Sequence, residues 1–269
     1  MALQGSGAIS LSDLATEFGD TTPNSMSEFY AGGSLVGTNN ASVPASGAIT
    51  LANFYSATAA IVLNITSSAS NQNILTLATA AGYNAATDTT PIIVNINSGV
   101  TVSGSGTYAL RTGVLNASSS LTINISGSVD GFFGANGGVP GGTGAAGGDA
   151  LYWETSGTSV VNVLSGGSLR GGGGGGGGGG QRGGRYNVWN GKTCQGGVSY
   201  GSYGSTGAAG AFGVAGSTGG TGTYGSGLSG CEYQVVGAGG AGGAAGFALR
   251  KNSKTVTLNN SGTVAGSAA

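Results

Sequence analysis

The chain has no histidine, and charged residues make up only 6% of its 269 positions, with a formal net charge of −1. Without histidine there is no Ser-His-Asp or Cys-His arrangement and no mixed Cys/His zinc site. The nine carboxylates are scattered singly, and Asp149 or Glu154 with Glu232 is the one pairing considered for glycoside cleavage. Such low charge leaves no footprint for nucleic acid or an anionic membrane surface. No apolar run approaches the roughly 20 residues of a membrane span. The opening MALQGSGAIS lacks a basic start and a long apolar core, so no signal peptide is expected. Gly191-Lys192-Thr193 resembles the end of a phosphate-binding loop, but Tyr186 stands where that motif needs its first glycine. There are two cysteines, Cys194 and Cys231; a disulfide and two free thiols are both open. No enzyme, cofactor or metal is expected.

What is abundant is glycine, 60 residues of it, and its spacing is regular. It falls at every third position from Gly201 to Gly225, again from Gly138 to Gly147 and from Gly237 to Gly246, and runs unbroken from Gly171 to Gly180. Three residues per turn is the repeat of a polyproline-II-type helix. One edge of such a helix carries no side chain, so backbones can approach and pair. A collagen triple helix would need proline at its X and Y positions, and 201–225 contains none. At about 3.1 Å per residue, 171–184 spans roughly 43 Å and 201–225 roughly 78 Å, so the longer tract is expected to fold back once. The predicted architecture is mainly β and irregular: a small N-terminal attachment module, a β-domain, then bundled polyglycine-II helices alternating with short repeated strands.

The first sixty residues carry a duplication. Ser6-Gly7-Ala8-Ile9-Ser10-Leu11-Ser12-Asp13-Leu14 matches Ser46-Gly47-Ala48-Ile49-Thr50-Leu51-Ala52-Asn53-Phe54. Ser12 or Asp13 is the expected cap of a short helix over Leu14–Phe18, and Met26–Tyr30 reads as another helical turn. Residues 1–58 therefore read as a duplicated module, either a small repeated turn motif that packs on itself or an attachment module that docks onto a larger assembly, with Ile9, Leu11, Leu14, Phe29, Tyr30, Ile49, Leu51, Phe54 and Tyr55 as its candidate contact residues. Residues 59–119 form the expected β-domain, with strands at Ile61–Ile65, Ile74–Leu77, Ile92–Ile96 and Val100–Val102. Residues 120–269 form the glycine-rich repeat domain. Its strands at 121–129, 160–169 and 256–264 share the form strand, Asn, Ser-Gly, apolar, and alternate with the glycine tracts.

Aromatic segments interrupt the tracts, and on a rigid scaffold such connections are where recognition concentrates. Arg182, Arg185, Tyr186, Trp189, Asn190, Tyr200, Tyr203 and Tyr233 are the candidate binding residues, with packing against the glycine layers as the rival role. For Trp153 packing is expected.

The repeated strand–Ser-Gly units leading into glycine tracts broken by aromatic loops resemble glycine-rich tail proteins of tailed bacteriophages. They look most like the tip adhesins of T-even-type long tail fibres. Ser-Gly-Ala-Ile-Ser-Leu and Asn-Phe-Tyr-Ser-Ala are similar to short repeats in phage tail and fibre proteins. The resemblance covers about 5–57 and 120–265. It implies layered polyglycine-II helices whose end loops, Arg185–Asn190 and Cys231–Gln234, bind a protein or glycan of the bacterial outer surface. It implies that residues 1–58 are a virion-attachment module joining other tail proteins, in several copies with a trimer as one arrangement, and that the chain is made in the host cytoplasm and resides in the virion. A purely structural virion role without a receptor and a glycan-cleaving tail enzyme are the alternatives.

Overall fold

The computed structural model describes residues 3–21, 25–31, 35–36, 40 and 42–269. Its frame is a parallel β-solenoid, built from rungs of three short strands. The first rung is β1 (Ile61–Ile65), β2 (Ala69–Ser70) and β3 (Gln72–Asn73); the second is β4 (Ile92–Ile96), β5 (Thr101–Ser103) and β6 (Tyr108–Arg111). The third is β7 (Leu121–Ile125), β8 (Ser128–Asp130) and β9 (Asp149–Tyr152). The fourth opens with β10 (Ser159–Val163) and β11 (Ser168–Arg170). A long excursion then carries β12 (Gly184–Trp189), β13 (Cys194–Tyr200) and β14 (Glu232–Gln234) before β15 (Leu249–Arg250) closes the rung. The last rung is β16 (Thr257–Asn260), β17 (Thr263–Ala265) and a bridge at Ala268 to Leu249. Stacking gives three parallel sheets, in the orders β1-β4-β7-β10-β16, β2-β5-β8-β11-β17 and β3-β6-β9-β15. The expected boundary at 119/120 falls between β6 and β7, inside these continuous sheets.

The two-residue period of the strands explains the packing. Alternate residues of the first sheet (Leu63, Val94, Ile123, Val161) stack in register inside the solenoid and are buried. Val102, Val129 and Leu169 do the same from the second sheet, and Leu110, Leu151 and Leu249 from the third. Trp153 is buried in this core. On the outer face five asparagines stack, one per rung. Asn95, Asn124, Asn162 and Asn259 each donate Nδ2 to Oδ1 of the asparagine below, ending on Asn64, at 2.8–2.9 Å. Asn124→Ala removes two of these bonds at a partly solvated site, and a loss of about 1–2 kcal/mol is expected in a denaturant melt.

Ile74–Leu77, read as a strand, is instead part of helix α2 (Ile74–Ala80; α1 is described with the N-terminal module). The Asn73 side chain accepts from Leu75 N–H at its start, and the run Ala78-Thr79-Ala80 favours helix over strand. Only Ile74 and Ala78 are fully buried, a spacing of four that fits one helical face.

Both glycine excursions leave from the same corner, between the second and third sheets: 131–148 from the third rung and 171–248 from the fourth. They form six extended segments, 131–138, 141–148, 171–183, 201–212, 214–225 and 237–246, none of them helix or strand in the α or β sense. Their hydrogen bonds recur every third residue. Gly171–Gly180 is fully buried at the centre. Gly172, Gly175 and Gly178 donate to Gly148, Ala145 and Gly142; Gly174, Gly177 and Gly180 donate to Val214, Ser217 and Gly220. The central carbonyls accept from three further segments, for example Gly134 to Gly173, Gly207 to Gly177 and Gly243 to Gly175. The centre thus has five neighbours. In the sixth direction side chains close the gap: Asn136 Oδ1 accepts Gly176 N–H at 2.7 Å, and the Phe133 and Phe212 rings meet at 4.6 Å. The fold-back expected within 201–225 lies at Phe212-Gly213, where Gly213 takes a φ of 69°.

Arginines tie the base of the bundle to the solenoid. Arg170 holds Asp130 through two 2.8 Å bonds and lies 4.1 Å from the Phe212 ring centre. Arg250 pairs with Asp149 and lies 4.0 Å from that of Phe247.

Candidate functional site

The remote end of the central glycine segment runs directly into β12, so the antiparallel sheet β13-β12-β14 caps the bundle at the end away from the solenoid. Asn190 closes the β12–β13 hairpin: its Oδ1 accepts from the N–H groups of Lys192 and Thr193, at 3.0 and 2.8 Å. That acceptor is committed to the turn, which gives Asn190 a structural task. Gly191-Lys192-Thr193 is the turn itself.

The structure brings most of the candidate binding residues together. Arg182 lies between the rings of Tyr200 and Tyr203, 4.8 and 5.2 Å from their centres. Tyr233 meets both Tyr186 (5.5 Å) and Tyr200 (6.3 Å) edge to face. Arg185 lies 4.0 Å from the Tyr224 ring centre and 3.5 Å from Glu232 Oε1. Stacking and pairing order these long side chains, while the rings keep an outer face in water. Trp189 is 53% exposed and Tyr233 56% exposed, high values for residues so apolar. Trp189 also walls a cavity of about 350 Å³ with Leu228, Ser229, Gly230 and Cys231.

Cys194 and Cys231 form a disulfide that ties the hairpin to this loop. Closing a loop of that length restricts the unfolded chain by about 3–4 kcal/mol in the chain-entropy picture. Val188, inside the expected loop Arg185–Asn190, is exposed on the same end, and so are Leu228 and Val235, which lie outside the expected loops. Leu228 sits in Ser-Gly-Leu-Ser-Gly, where one aliphatic among small residues gives little signal.

The carboxylates considered for glycoside cleavage are each closed by an arginine: Asp149 by Arg250, Glu154 by Arg111 and Glu232 by Arg185. Hydrogen bonds to the carboxylate partners hold Arg111, Arg170 and Arg250 above the usual arginine range. These groups serve as clamps between rungs and segments.

The N-terminal module has its own core, separate from that of the solenoid. It is built from three capped turns where the sequence showed two copies. Helix α1 (Leu11–Phe18) starts at Ser10, and the 3-10 turns Met26–Phe29 and Leu51–Phe54 start at Ser25 and Thr50. The cap of α1 is therefore Ser10, with Asp13 as its partner inside the first turn; the cap expected at Ser12 or Asp13 lies too late because Leu11 is already helical. In each turn the residue three beyond the cap bonds back to the cap N–H: Asp13 at 2.8 Å, Glu28 at 2.7 Å and Asn53 at 2.8 Å. The side-chain and backbone bonds from Ser10 hold the Asp13 carboxyl below its ordinary range, so its cap contribution is present above that range and lost as pH falls through the lowered pKa. The next residue in each turn, Leu14, Phe29 or Phe54, is fully buried. Phe18, Phe29 and Phe54 meet in a ring cluster at 6.1–6.2 Å.

Ile9, Leu14, Phe29 and Phe54, expected as attachment contacts, thus lie in the module's own core. Their apolar character reflects internal packing. Leu11, Tyr30, Ile49 and Leu51 are half-buried and Tyr55 is exposed. The Tyr55 hydroxyl donates to Gly7 C=O at 2.6 Å and Tyr30 to Gly47 C=O, linking each tyrosine to a Ser-Gly-Ala-Ile copy. Asn40 and Thr58 bond reciprocally at 2.9 Å, close to where the chain enters the first rung.

A solenoid that carries a glycine scaffold with an exposed aromatic end is suited to adhesion. The family model for the phage tail fibre adhesin Gp38 matches residues 60–269, which take in the solenoid and the whole glycine bundle. The protein is a tail fibre adhesin of a tailed bacteriophage, a virion protein that binds the host. The chain belongs to the Gp38 family. No curated protein matches it. Among solved structures it is similar to a chain of the gp37–gp38 adhesin tip complex from the long tail fibre of bacteriophage S16, at 21% identity over 100% of both chains with a TM-score of 0.45.

Proposed function

We propose that the β12–β14 end of the bundle is the surface that meets the host, and that residues 3–58 join the chain to another tail protein. The observation that carries the first part is the gathering of Trp189, Tyr200, Tyr203 and Tyr233, each more than 40% exposed, at the remote end of the glycine segments. Large aromatic faces ordered by Arg182 and Arg185 give contact area at small entropic cost. The partner is an outer-surface protein or glycan, and the action is binding without catalysis, cofactor, nucleic acid or membrane insertion. Several copies per particle raise the avidity. The glycine segments act as polyglycine-II helices, a stiff mount that holds the loops in place.

The attachment reading is supported by the apolar residues that the module does not bury in its own core, the half-buried Leu11, Tyr30, Ile49 and Leu51 and the exposed Tyr55. The separate core of the module makes the test direct. A chain lacking residues 1–58 is expected to retain its solenoid and bundle and still occupy host cells, yet to be missing from assembled particles. Incorporation of that chain at the level of the full protein would refute the attachment role.

A further inference from the structure

We propose that the Cys194–Cys231 bond is a redox device that sets the order of the tip after the protein leaves the reducing cytoplasm. The proposal rests, for its consequence in host binding, on reading the tip as the receptor surface.

Besides the disulfide, the tip is held by the β12–β13 hairpin and the arginine–tyrosine contacts, with no buried apolar core beneath them. Neither hydrophobic core takes a residue between Leu169 and Ala248. β14 pairs with β12 at only two positions, Gly184–Gln234 and Arg185–Glu232, with a register shift between them. The 228–231 loop is fixed to β12 by two backbone bonds, Leu228 N–H to Tyr186 C=O at 2.9 Å and Tyr186 N–H to Cys231 C=O at 3.0 Å. Cys194 pairs with Trp189 across the hairpin, and Cys231 walls the cavity beside Trp189. The disulfide therefore joins the two sides of that cavity. The glycine segments depend on it far less, because their backbone bonds run row by row between the segments.

Both sulfurs are thiols in a reducing cytoplasm. After release, exchange with a low-molecular-weight disulfide oxidises them. Two S–H bonds break and one protein S–S bond forms; the reagent takes the two electrons and leaves as two thiols carrying the two protons. A dithiol reductant reverses the step. In the reduced state the 225–235 loop and the hairpin separate more readily, and the Trp189 cavity loses its shape.

The test uses intact virions in three states: untreated, reduced with dithiothreitol and alkylated, and carrying Cys194→Ser with Cys231→Ser. Tryptic cleavage after Arg185 and Lys192 is compared with cleavage after Arg111 and Arg170, and adsorption to host cells is measured in parallel. Cleavage at the two tip sites is expected to rise about tenfold or more in the reduced and the double-serine particles, with the solenoid sites unchanged. Adsorption is expected to fall with it. Equal tip cleavage in all three states overturns the redox device. Faster tip cleavage with unchanged adsorption leaves the device standing and removes the tip from the receptor surface.

Discussion

Gly176→Ala is expected to disrupt the glycine bundle while the solenoid survives. A Cβ at this position would stand 1.9 Å from the carbonyl oxygen of Gly207 and 2.4 Å from its carbonyl carbon. Both are backbone atoms of a neighbouring segment, so no side-chain rotation relieves the overlap. The segments must part by more than 1 Å, and the row from Gly204, Gly207 and Gly210 to Gly180, Gly177 and Gly174 then lengthens together. Each of those bonds contributes about 1 kcal/mol net, close to what fixing one residue's backbone costs. The margin is small, so the loss of one row spreads. A cost of about 4 kcal/mol or more is expected, at the severe end of single substitutions. Gly138→Ala is the matched control, because its Cβ meets nothing within 4 Å. Its effect should stay within about 0.5 kcal/mol. Hydrogen exchange resolved by segment reads both: protection across 171–180 is lost in Gly176→Ala and kept in Gly138→Ala, with β7 and β10 protected throughout.

The second large effect concerns binding. Trp189→Ala with Tyr233→Ala removes two of the most exposed rings of the tip, and neither ring lies in a hydrophobic core. Truncation of a central aromatic contact commonly costs 2 kcal/mol or more, about thirtyfold in affinity. Because many copies act together, the loss multiplies at the particle level. The paired variant is expected to adsorb at least about thirtyfold more slowly, with an unchanged melting temperature. Phe133→Ala, at the opposite end of the same bundle, should leave adsorption unchanged. An adsorption rate within twofold of wild type in the paired variant would show that these rings are not the contact.

The sequence carried the elements better than their assembly. The strands of the first sheet were legible because Ile61–Ile65 and Ile92–Ile96 are rich in β-branched residues and Leu121–Ile125 alternates apolar and polar ones, each with an asparagine at its fourth position. That they stack as rungs was not. The third-sheet strands β3 and β15 are two residues long and show no period of their own. Ile74–Leu77 misled because a short, mostly apolar run looks alike in strand and helix, and the Asn73 cap with the Ala78-Thr79-Ala80 run that follows decides. The glycine period announced extended segments, but every glycine resembles the next, so the five neighbours of 171–180 could not be ordered from the sequence. In the N-terminal module burial inverted the expectation: its most apolar residues pack inward. At the tip the aromatics were legible from composition. The cavity beside Trp189 was not, because its far wall comes from residues 228–231, about 40 positions along the chain.

The most direct test of the account is adsorption competition. Purified full-length protein, shown folded by hydrogen exchange across 171–180, is added to host cells before virus. The account predicts that wild-type protein blocks adsorption in a saturable way, and that protein with Trp189→Ala and Tyr233→Ala does not. If folded wild-type protein leaves adsorption unaffected at saturating concentration, or if the variant blocks equally well, the bundle end is not where this adhesin meets its host.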